Sequence, residues 1–258
     1  MLRRSFFSNR YDAGRRLAQS LRARGVVPEG AVCVAIAGGG IAVGYEVAAR
    51  LELPLTALPV ERLYHPLHAG VPIGAMALGG TVIQSDLGGC GLDAEWLDQA
   101  TLDARERLQA RAAVCGLLCD QARIAGAPIV LIDDGSSTGL ALRAAVAALH
   151  AHGVGTIVIA LPVAPRGVLH ELAKISGVVH GLHPVVRFWG SVGAYYKSYP
   201  RVSDTAVAMH LSLAAAAPSR NDRVERAARR SAYTQLLHPR VPVRVRPLRE
   251  WRFHPYRE

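Results

Sequence analysis

Hydrophobic residues in this chain form short continuous runs that are bounded by glycine, proline or charged residues. Uninterrupted apolar runs of this length are typical of strands that are buried on both faces of a sheet. The candidate strands are 32–37, 55–60, 81–84, 129–132, 156–161 and 178–179. The pattern therefore predicts a central sheet made of several short, fully buried strands.

The segments between these runs have helical character. In 6–24, Ala13, Leu17 and Leu21 recur at a spacing of four and form one apolar face. Further helices are predicted at 41–51, within 93–123, at 140–149 and at 167–175. Strands that alternate with helices predict an α/β protein with a mostly parallel sheet and right-handed crossovers. Ligands of such folds bind at the carboxyl ends of the strands.

The most informative stretch is IVLIDDGSSTGLA, residues 129–141. The strand ends in Asp133 and Asp134, and the loop Gly135, Ser136, Ser137, Thr138 and Gly139 leads into a helix. Free N–H groups at a helix start favour a phosphate, and glycines allow close approach of the backbone. The two acids would instead accept hydrogen bonds from ligand hydroxyls, such as those of a sugar. The alternative is an ordinary strand-to-helix turn in which Asp and Ser cap the helix.

This stretch resembles the motif with which type I phosphoribosyltransferases bind phosphoribosyl pyrophosphate (PRPP). The resemblance implies that Asp133 and Asp134 bind the ribose hydroxyls and that residues 135–139 bind the 5′-phosphate. It also implies a Rossmann-like, mostly parallel five-stranded sheet flanked by helices, with a small hood that holds the acceptor. Family chemistry needs Mg²⁺, held mainly through PRPP.

A second glycine loop, Gly38, Gly39 and Gly40, follows the first strand, and by resemblance it would contact the pyrophosphate of PRPP. Plain turn glycines are the alternative. Residues 60–75 are similar to a subgroup of bacterial stand-alone phosphoribosyltransferases. The chain departs from that subgroup because Glu61 replaces Arg, Arg62 replaces Lys and Gly70 replaces Glu. Arg62 keeps a cation that could face pyrophosphate, so it is a candidate catalytic residue.

Three other sets of residues have two interpretations each. Arginines 105, 107 and 111 either close over pyrophosphate or form a solvated helix face. Tyr195, Tyr196 and Tyr199 lie in a stretch, 192–204, that also resembles the subgroup, and they either stack on a base or pack against the sheet. His65 and His68 are either a metal pair or ordinary loop histidines, and we predict no protein metal site. Ser203 is expected to cap the next helix.

The charge of the chain is concentrated near its end. Of a net charge of +10, residues 214–258 contribute +7, from eleven arginines and four acids. We expect a phosphoribosyltransferase-like domain over 1–213 and a basic, partly disordered extension over 214–258, which alone could bind nucleic acid. Apolar runs are too short for a membrane span, and the four cysteines show no metal or disulfide spacing. A cytoplasmic protein, which could be a homo-oligomer, is predicted.

The resemblance predicts transfer of a 5-phosphoribosyl group from Mg²⁺-PRPP to an acceptor, most simply a nucleobase, with release of pyrophosphate. The changes at Glu61 and Gly70 favour an alternative, a non-catalytic sensor that binds PRPP or a nucleotide without turnover. A weaker third hypothesis is a hydrolase of phosphorylated sugars that uses the same pocket.

Overall fold

The computed structural model describes residues 6–68, 71–80, 82–85, 93–115 and 124–216. The helices are α1 (Arg10–Arg24), α2 (Gly39–Leu51), α3 (Ala94–Cys115), α4 (Leu140–Ala151), α5 (Arg166–Ser176) and α6 (Asp204–Ala216). The strands are β1 (Val32–Ile36), β2 (Leu55–Leu58), β3 (Val60–Tyr64), β4 (Pro72–Ala77), β5 (Val82–Gln84), β6 (Ile129–Ile132), β7 (Ile157–Pro165) and β8 (Val178–Val185).

The main sheet has five strands in the order β2-β1-β6-β7-β8. Each neighbouring pair in it is parallel. The predicted α/β class with a five-stranded parallel sheet is therefore confirmed. Because β1 and β6 are adjacent and parallel, the two glycine loops that follow them lie side by side at the carboxyl edge of the sheet.

The two faces of this sheet are covered by different helices. Ile129 and Leu131 of β6 pack with the buried residues of α4, whereas Val130 and Ile132 pack with those of α1 and α2. This alternation follows from the two-residue repeat of a strand. All four side chains are completely buried, and burying each contributes about 1.5–3 kcal/mol. The central strand is thus a rigid support for the loop that follows it.

A second, antiparallel sheet has the strand order β3-β4-β5. The prediction of one strand over 55–60 is wrong, because β2 ends at Leu58 and Val60 begins β3 in the second sheet. Pro59 separates the two strands, and a proline cannot donate to a ladder. Strand β4 was not predicted at all, although five of its six residues are buried.

Two further differences concern the last part of the fold. Strand β8 covers eight residues and not only the two that were predicted, since His180, His183 and Pro184 interrupt its apolar pattern. Ser203 caps α6 as predicted, because its Oγ accepts a hydrogen bond from the N–H of Ala206 at 3.2 Å. Helix α6 ends at Ala216. Residues 217–258 lie outside the described residues, so the predicted extension stays a prediction.

Candidate functional site

The loop between β6 and α4 is shaped by two glycines. Gly135 has a φ of 142°, and a Cβ there would lie 3.0 Å from the carbonyl oxygen of Val163. Gly139 has a φ of 78° and is the N-cap of α4. Both conformations favour glycine. The N–H of Gly139 donates to Ser136 Oγ at 2.9 Å, which tightens the loop around the start of the helix.

This loop forms one wall of a cavity of about 670 Å³ at the carboxyl edge of the main sheet. The other walls come from the end of β1, from β3 and from segment 190–193. Residues 135–138 line the cavity, whereas Gly139 is buried below it. The structure therefore brings the predicted loop, the acid pair and part of the second glycine loop together around one cavity.

Asp133 lies in this cavity with an unsatisfied carboxylate. Its Oδ1 accepts the N–H of Asp134 at 2.9 Å. Its Oδ2 is buried and has no hydrogen-bond partner among the described residues. The nearest cation is Arg62, whose Nη2 lies 3.9 Å from Oδ2. Burial, together with the adjacent charge of Asp134, raises the pKa of Asp133 to about 8.

Asp134, in contrast, has several protein partners. Its Oδ2 accepts from Arg10 Nε at 2.6 Å and from the hydroxyl of Tyr199 at 2.8 Å, while its carbonyl oxygen accepts from Tyr196 at 2.5 Å. Arg10 also lies 3.6 Å above the ring of Tyr199 and donates to the carbonyl of Pro200. The ion pair is buried, with side-chain exposures of 8% and 9%. Asp134 is thus fixed by the protein from three directions.

Arg10 was not predicted as a site residue. Burial opposes its charge, but the neighbouring carboxylate of Asp134 outweighs this effect and raises the pKa of Arg10. One signal was present in the sequence, because Arg10 precedes Ala13, Leu17 and Leu21 on the predicted apolar face of α1. An arginine at a buried helix position needs a carboxylate partner. The pattern could not identify which carboxylate.

The second glycine loop approaches the acid pair closely. Gly38 has a φ of 114°, and Gly39 and Gly40 are the first residues of α2. A Cβ at position 39 would lie 1.8 Å from Oδ2 of Asp134, and one at position 40 would lie 3.1 Å from Oδ1 of Asp133. Gly38 and Gly39 line the cavity, but Gly40 does not. Gly39 and Gly40 are therefore required for packing against the acids, in addition to any contact with a ligand.

The three candidate arginines of α3 lie in different environments. Arg111 lines the cavity, and its Nε lies 3.1 Å from Asp204. Arg107 binds Glu61 at 3.0 Å, and Arg111 approaches the same carboxylate at 3.7 Å. Arg105 instead lines a smaller cavity beside residues 76–80. Of the three, Arg111 is the one at the site.

The three tyrosines singled out in the sequence mainly contact other residues of the protein. Tyr195 and Tyr196 are buried in a cluster with Phe7. Burial raises the pKa of Tyr199, with the charge of Asp134 as the next cause, so its hydroxyl stays protonated and donates. One aromatic residue that lines the cavity and is largely exposed is Tyr64, at 47%. It was not singled out from the sequence, because a tyrosine at the end of a strand carries no distinctive signal.

The described residues contain no group of three or more His, Cys, Asp or Glu side chains that could hold a metal ion. The rings of His65 and His68 lie 4.6 Å apart. Gly70 lies outside the described residues. Among those described, no helix is long and apolar enough to cross a membrane.

This geometry agrees with comparisons to known proteins. The model of the phosphoribosyl transferase domain family matches residues 7–178. Two Mycobacterium tuberculosis proteins, "Putative phosphoribosyl transferase MT0597" of strain CDC 1551 / Oshkosh and "Putative phosphoribosyl transferase Rv0571c" of strain ATCC 25618 / H37Rv, are each 31% identical over 210 residues. The match covers 81% of this chain and 47% of each relative.

A solved structure, that of TT1426 from Thermus thermophilus, has a TM-score of 0.64 and 30% sequence identity. The structural match covers 80% of this chain and 97% of the TT1426 chain. The parallel sheet, with an acid pair and a glycine-bounded loop after its central strand, is typical of a phosphoribosyltransferase fold. The chain belongs to the phosphoribosyl transferase family. It spans about half the length of the curated relatives that it matches.

Proposed function

We propose that the protein binds PRPP in this cavity and transfers its 5-phosphoribosyl group to a nitrogen acceptor, with release of pyrophosphate. One observation carries the proposal, namely the buried, unpartnered Oδ2 of Asp133 in the cavity wall. A buried acceptor without a donor costs about 1–3 kcal/mol. A ribose hydroxyl would supply the missing donor, so a sugar ligand gains affinity at this position.

The 5′-phosphate is assigned to residues 135–139. The start of α4 provides a positive dipole end and N–H groups, and the hydroxyls of Ser136 and Thr138 are within hydrogen-bond reach of the backbone of that turn. A bound phosphate would replace the hydroxyl oxygens of Ser136 and Thr138 as acceptors for these backbone N–H groups. Its charge makes it the stronger acceptor. Asp133 lies directly before the loop. This arrangement suits a sugar phosphate, whose hydroxyls would contact Asp133 while its phosphate contacts the loop.

The pyrophosphate is assigned to the other end of the cavity. Gly38 and Gly39, Arg62 and Arg111 line that end. Arginine binds phosphate oxygens with paired donors, and no other amino acid combines a permanent charge with this geometry. Two groups of candidate anion-binding residues that line one cavity together with Asp133 favour PRPP over a simple sugar phosphate.

Magnesium fits this site through the ligand and not through a protein cage. Mg²⁺ commonly uses one or two carboxylates together with substrate phosphates and water. The carboxyl group of Asp133 could serve in such a role, and a bound cation would displace the proton that its raised pKa retains. When bound with PRPP, Mg²⁺ would neutralise the charge of the leaving pyrophosphate.

The chemistry requires one bond to form and one to break at the anomeric carbon. The acceptor nitrogen forms the new bond, and the carbon–oxygen bond to pyrophosphate breaks with its electron pair leaving on oxygen. Positive charge develops on the ribose ring, where the carboxylates of Asp133 and Asp134 lie nearby. Negative charge develops on pyrophosphate, where Arg62 and Arg111 stabilise it.

The experiment is a titration of PRPP by calorimetry, with and without Mg²⁺, followed by a pyrophosphate-release assay with purine and pyrimidine bases. We expect binding that Mg²⁺ strengthens and release that depends on a base. Asp133→Asn should weaken PRPP binding at least tenfold, whereas the control Asp103→Asn on α3 should not change it. Absence of PRPP binding by the wild-type protein would refute the proposal.

A non-catalytic PRPP or nucleotide sensor is the second candidate. The pairing of Glu61 with Arg107 and Arg111 favours it, because a carboxylate beside the leaving-group site disfavours developing negative charge. Binding without release for every base would support the sensor. Release without any base would support hydrolysis.

A further inference from the structure

A carboxylate lies among the arginines at the pyrophosphate end of the cavity. Glu61 and Arg111 both line this end. One oxygen of Glu61 accepts from Arg107 Nε at 3.0 Å, and the other lies 3.7 Å from Nη1 of Arg111. The side chain of Glu61 is 23% exposed and that of Arg107 is 51% exposed. Arg111, which lines the cavity, is therefore already paired with an anion that belongs to the protein.

Arg111 does not depend on Glu61 for its position. Its Nε pairs with Asp204 at 3.1 Å, and its terminal nitrogens donate to the carbonyls of Val60 at 3.4 Å and Ala37 at 3.3 Å. Its Nη2 lies 4.0 Å from the Cβ position of Gly38, the first residue of the glycine loop. Loss of the Glu61 charge would therefore leave Arg111 at the end of β1.

We propose that Glu61 is an internal competitor for the pyrophosphate group and that it lowers the affinity of the cavity for this group. The inference rests on the proposed function, because it takes pyrophosphate as the ligand of this end. A ligand that binds Arg111 must displace Glu61 from it, and the carboxylate, which stays paired with Arg107 outside the cavity lining, then remains close to the bound anion. The site would hold pyrophosphate weakly after transfer, which favours its release as a product.

The partly exposed ion pairs of Glu61 make displacement feasible. Pairs of this kind contribute little net stability, and salt screens them. An anion with several charges, such as pyrophosphate, competes well with Glu61 for Arg111. The repulsion from Glu61 then persists because β3 holds the residue at the cavity wall. The 5′-phosphate loop lies at the opposite end of the ligand, so its affinity for phosphate should be nearly independent of Glu61.

The test compares wild-type protein with Glu61→Gln and with the control Glu46→Gln. Glu46 also pairs with two arginines, Arg15 and Arg50, but on α1 and α2 and not in the cavity lining. Calorimetry in Mg²⁺ buffer would measure the Kd of pyrophosphate, PRPP and ribose 5-phosphate. We expect Glu61→Gln to tighten pyrophosphate and PRPP by about tenfold, with a smaller gain at high salt. Ribose 5-phosphate should change less than twofold, and Glu46→Gln should have no effect on any ligand.

Three results would overturn the inference. Unchanged or weaker pyrophosphate binding by Glu61→Gln would mean that Glu61 does not compete. If Glu61→Gln tightened ribose 5-phosphate binding as much as pyrophosphate binding, the cause would be a general charge effect. The same conclusion would follow if Glu46→Gln tightened pyrophosphate binding equally. If ribose 5-phosphate binds but neither pyrophosphate nor PRPP binds to any variant, the assignment of this end fails, and the inference fails with it. If no ligand binds at all, the proposed function itself is refuted.

Discussion

Replacement of Arg10 by methionine tests the electrostatic core of the site. Arg10→Met keeps most of the side-chain volume but leaves the carboxylate of Asp134 buried beside Asp133 without its cation. Breaking one side of a buried ion pair costs about 3–5 kcal/mol. For a domain of this size, about 1 kcal/mol corresponds to about 2–4 °C, so the melting temperature should fall by about 6–20 °C.

The matched control lies on the same helix. Arg15 pairs with Asp12 at 3.9 Å and with Glu46 at 3.4 Å, but its side chain is 44% exposed. Arg15→Met should therefore cost less than about 1 kcal/mol. Thermal unfolding monitored by circular dichroism at one pH gives both values. A further variant, Arg10→Met with Asp134→Asn, should recover part of the loss, because no unpaired charge stays buried.

Equal shifts in melting temperature for Arg10→Met and Arg15→Met would refute this reasoning. A double variant that is less stable than Arg10→Met alone would contradict the assignment of the loss to an uncompensated carboxylate. In that case stacking of the Arg10 guanidinium on the ring of Tyr199 would account for the stability.

Three other predictions follow from the same site. Burial raises the pKa of Asp133 from an ordinary value of 3.8 to about 8, so the folded state binds a proton that the unfolded state releases, and the contribution of Asp133 to stability falls as pH rises from about 4 to about 8. Urea unfolding should show that the stability of Asp133→Asn relative to wild type increases over this pH range, by at most about 6 kcal/mol. A difference that does not change with pH would contradict the raised pKa of Asp133. Gly39→Ala should destabilise the protein by at least about 2 kcal/mol, because its Cβ would meet Asp134, whereas Gly167→Ala meets nothing within 4 Å and should be neutral or stabilising. Tyr199→Phe removes one donor to Asp134 and should cost about 1–3 kcal/mol in chemical denaturation, and no loss would contradict the hydrogen bond at 2.8 Å.

Local patterns were sufficient for the centre of this fold. The strand 129–132 and the loop after it were predicted correctly because burial on both faces and a helix start leave clear marks within a few residues. The antiparallel sheet was missed, since its pairing joins residues whose partners are set by tertiary packing. The same reason applies to the pairing of Glu61 with α3, because a charge pattern does not identify its partner.

The acid pair was identified from the types and order of the residues around it, but the difference between the environments of its two members was not predicted. Asp133 and Asp134 are equivalent in sequence, and by resemblance both were assigned to ribose. The structure gives Asp134 two side-chain donors, from Arg10 and Tyr199, and leaves one oxygen of Asp133 without a donor among the described residues. Those donors lie 124 and 65 residues away along the chain, beyond the reach of any local pattern.

The separation of these partners along the chain has a consequence for biosynthesis. Arg10 bonds Asp134 and also the carbonyl of Pro200, which is 190 residues further along than Arg10. During translation, β6 and the loop that follows it emerge long before the segment that carries Tyr199 and Pro200. Until that segment emerges, Asp134 lacks the donors from Tyr196 and Tyr199, and Arg10 lacks the ring of Tyr199. A ribosome-bound chain should therefore complete the hydrogen bonds around Asp134 only after about residue 200 has left the exit tunnel, late in its synthesis.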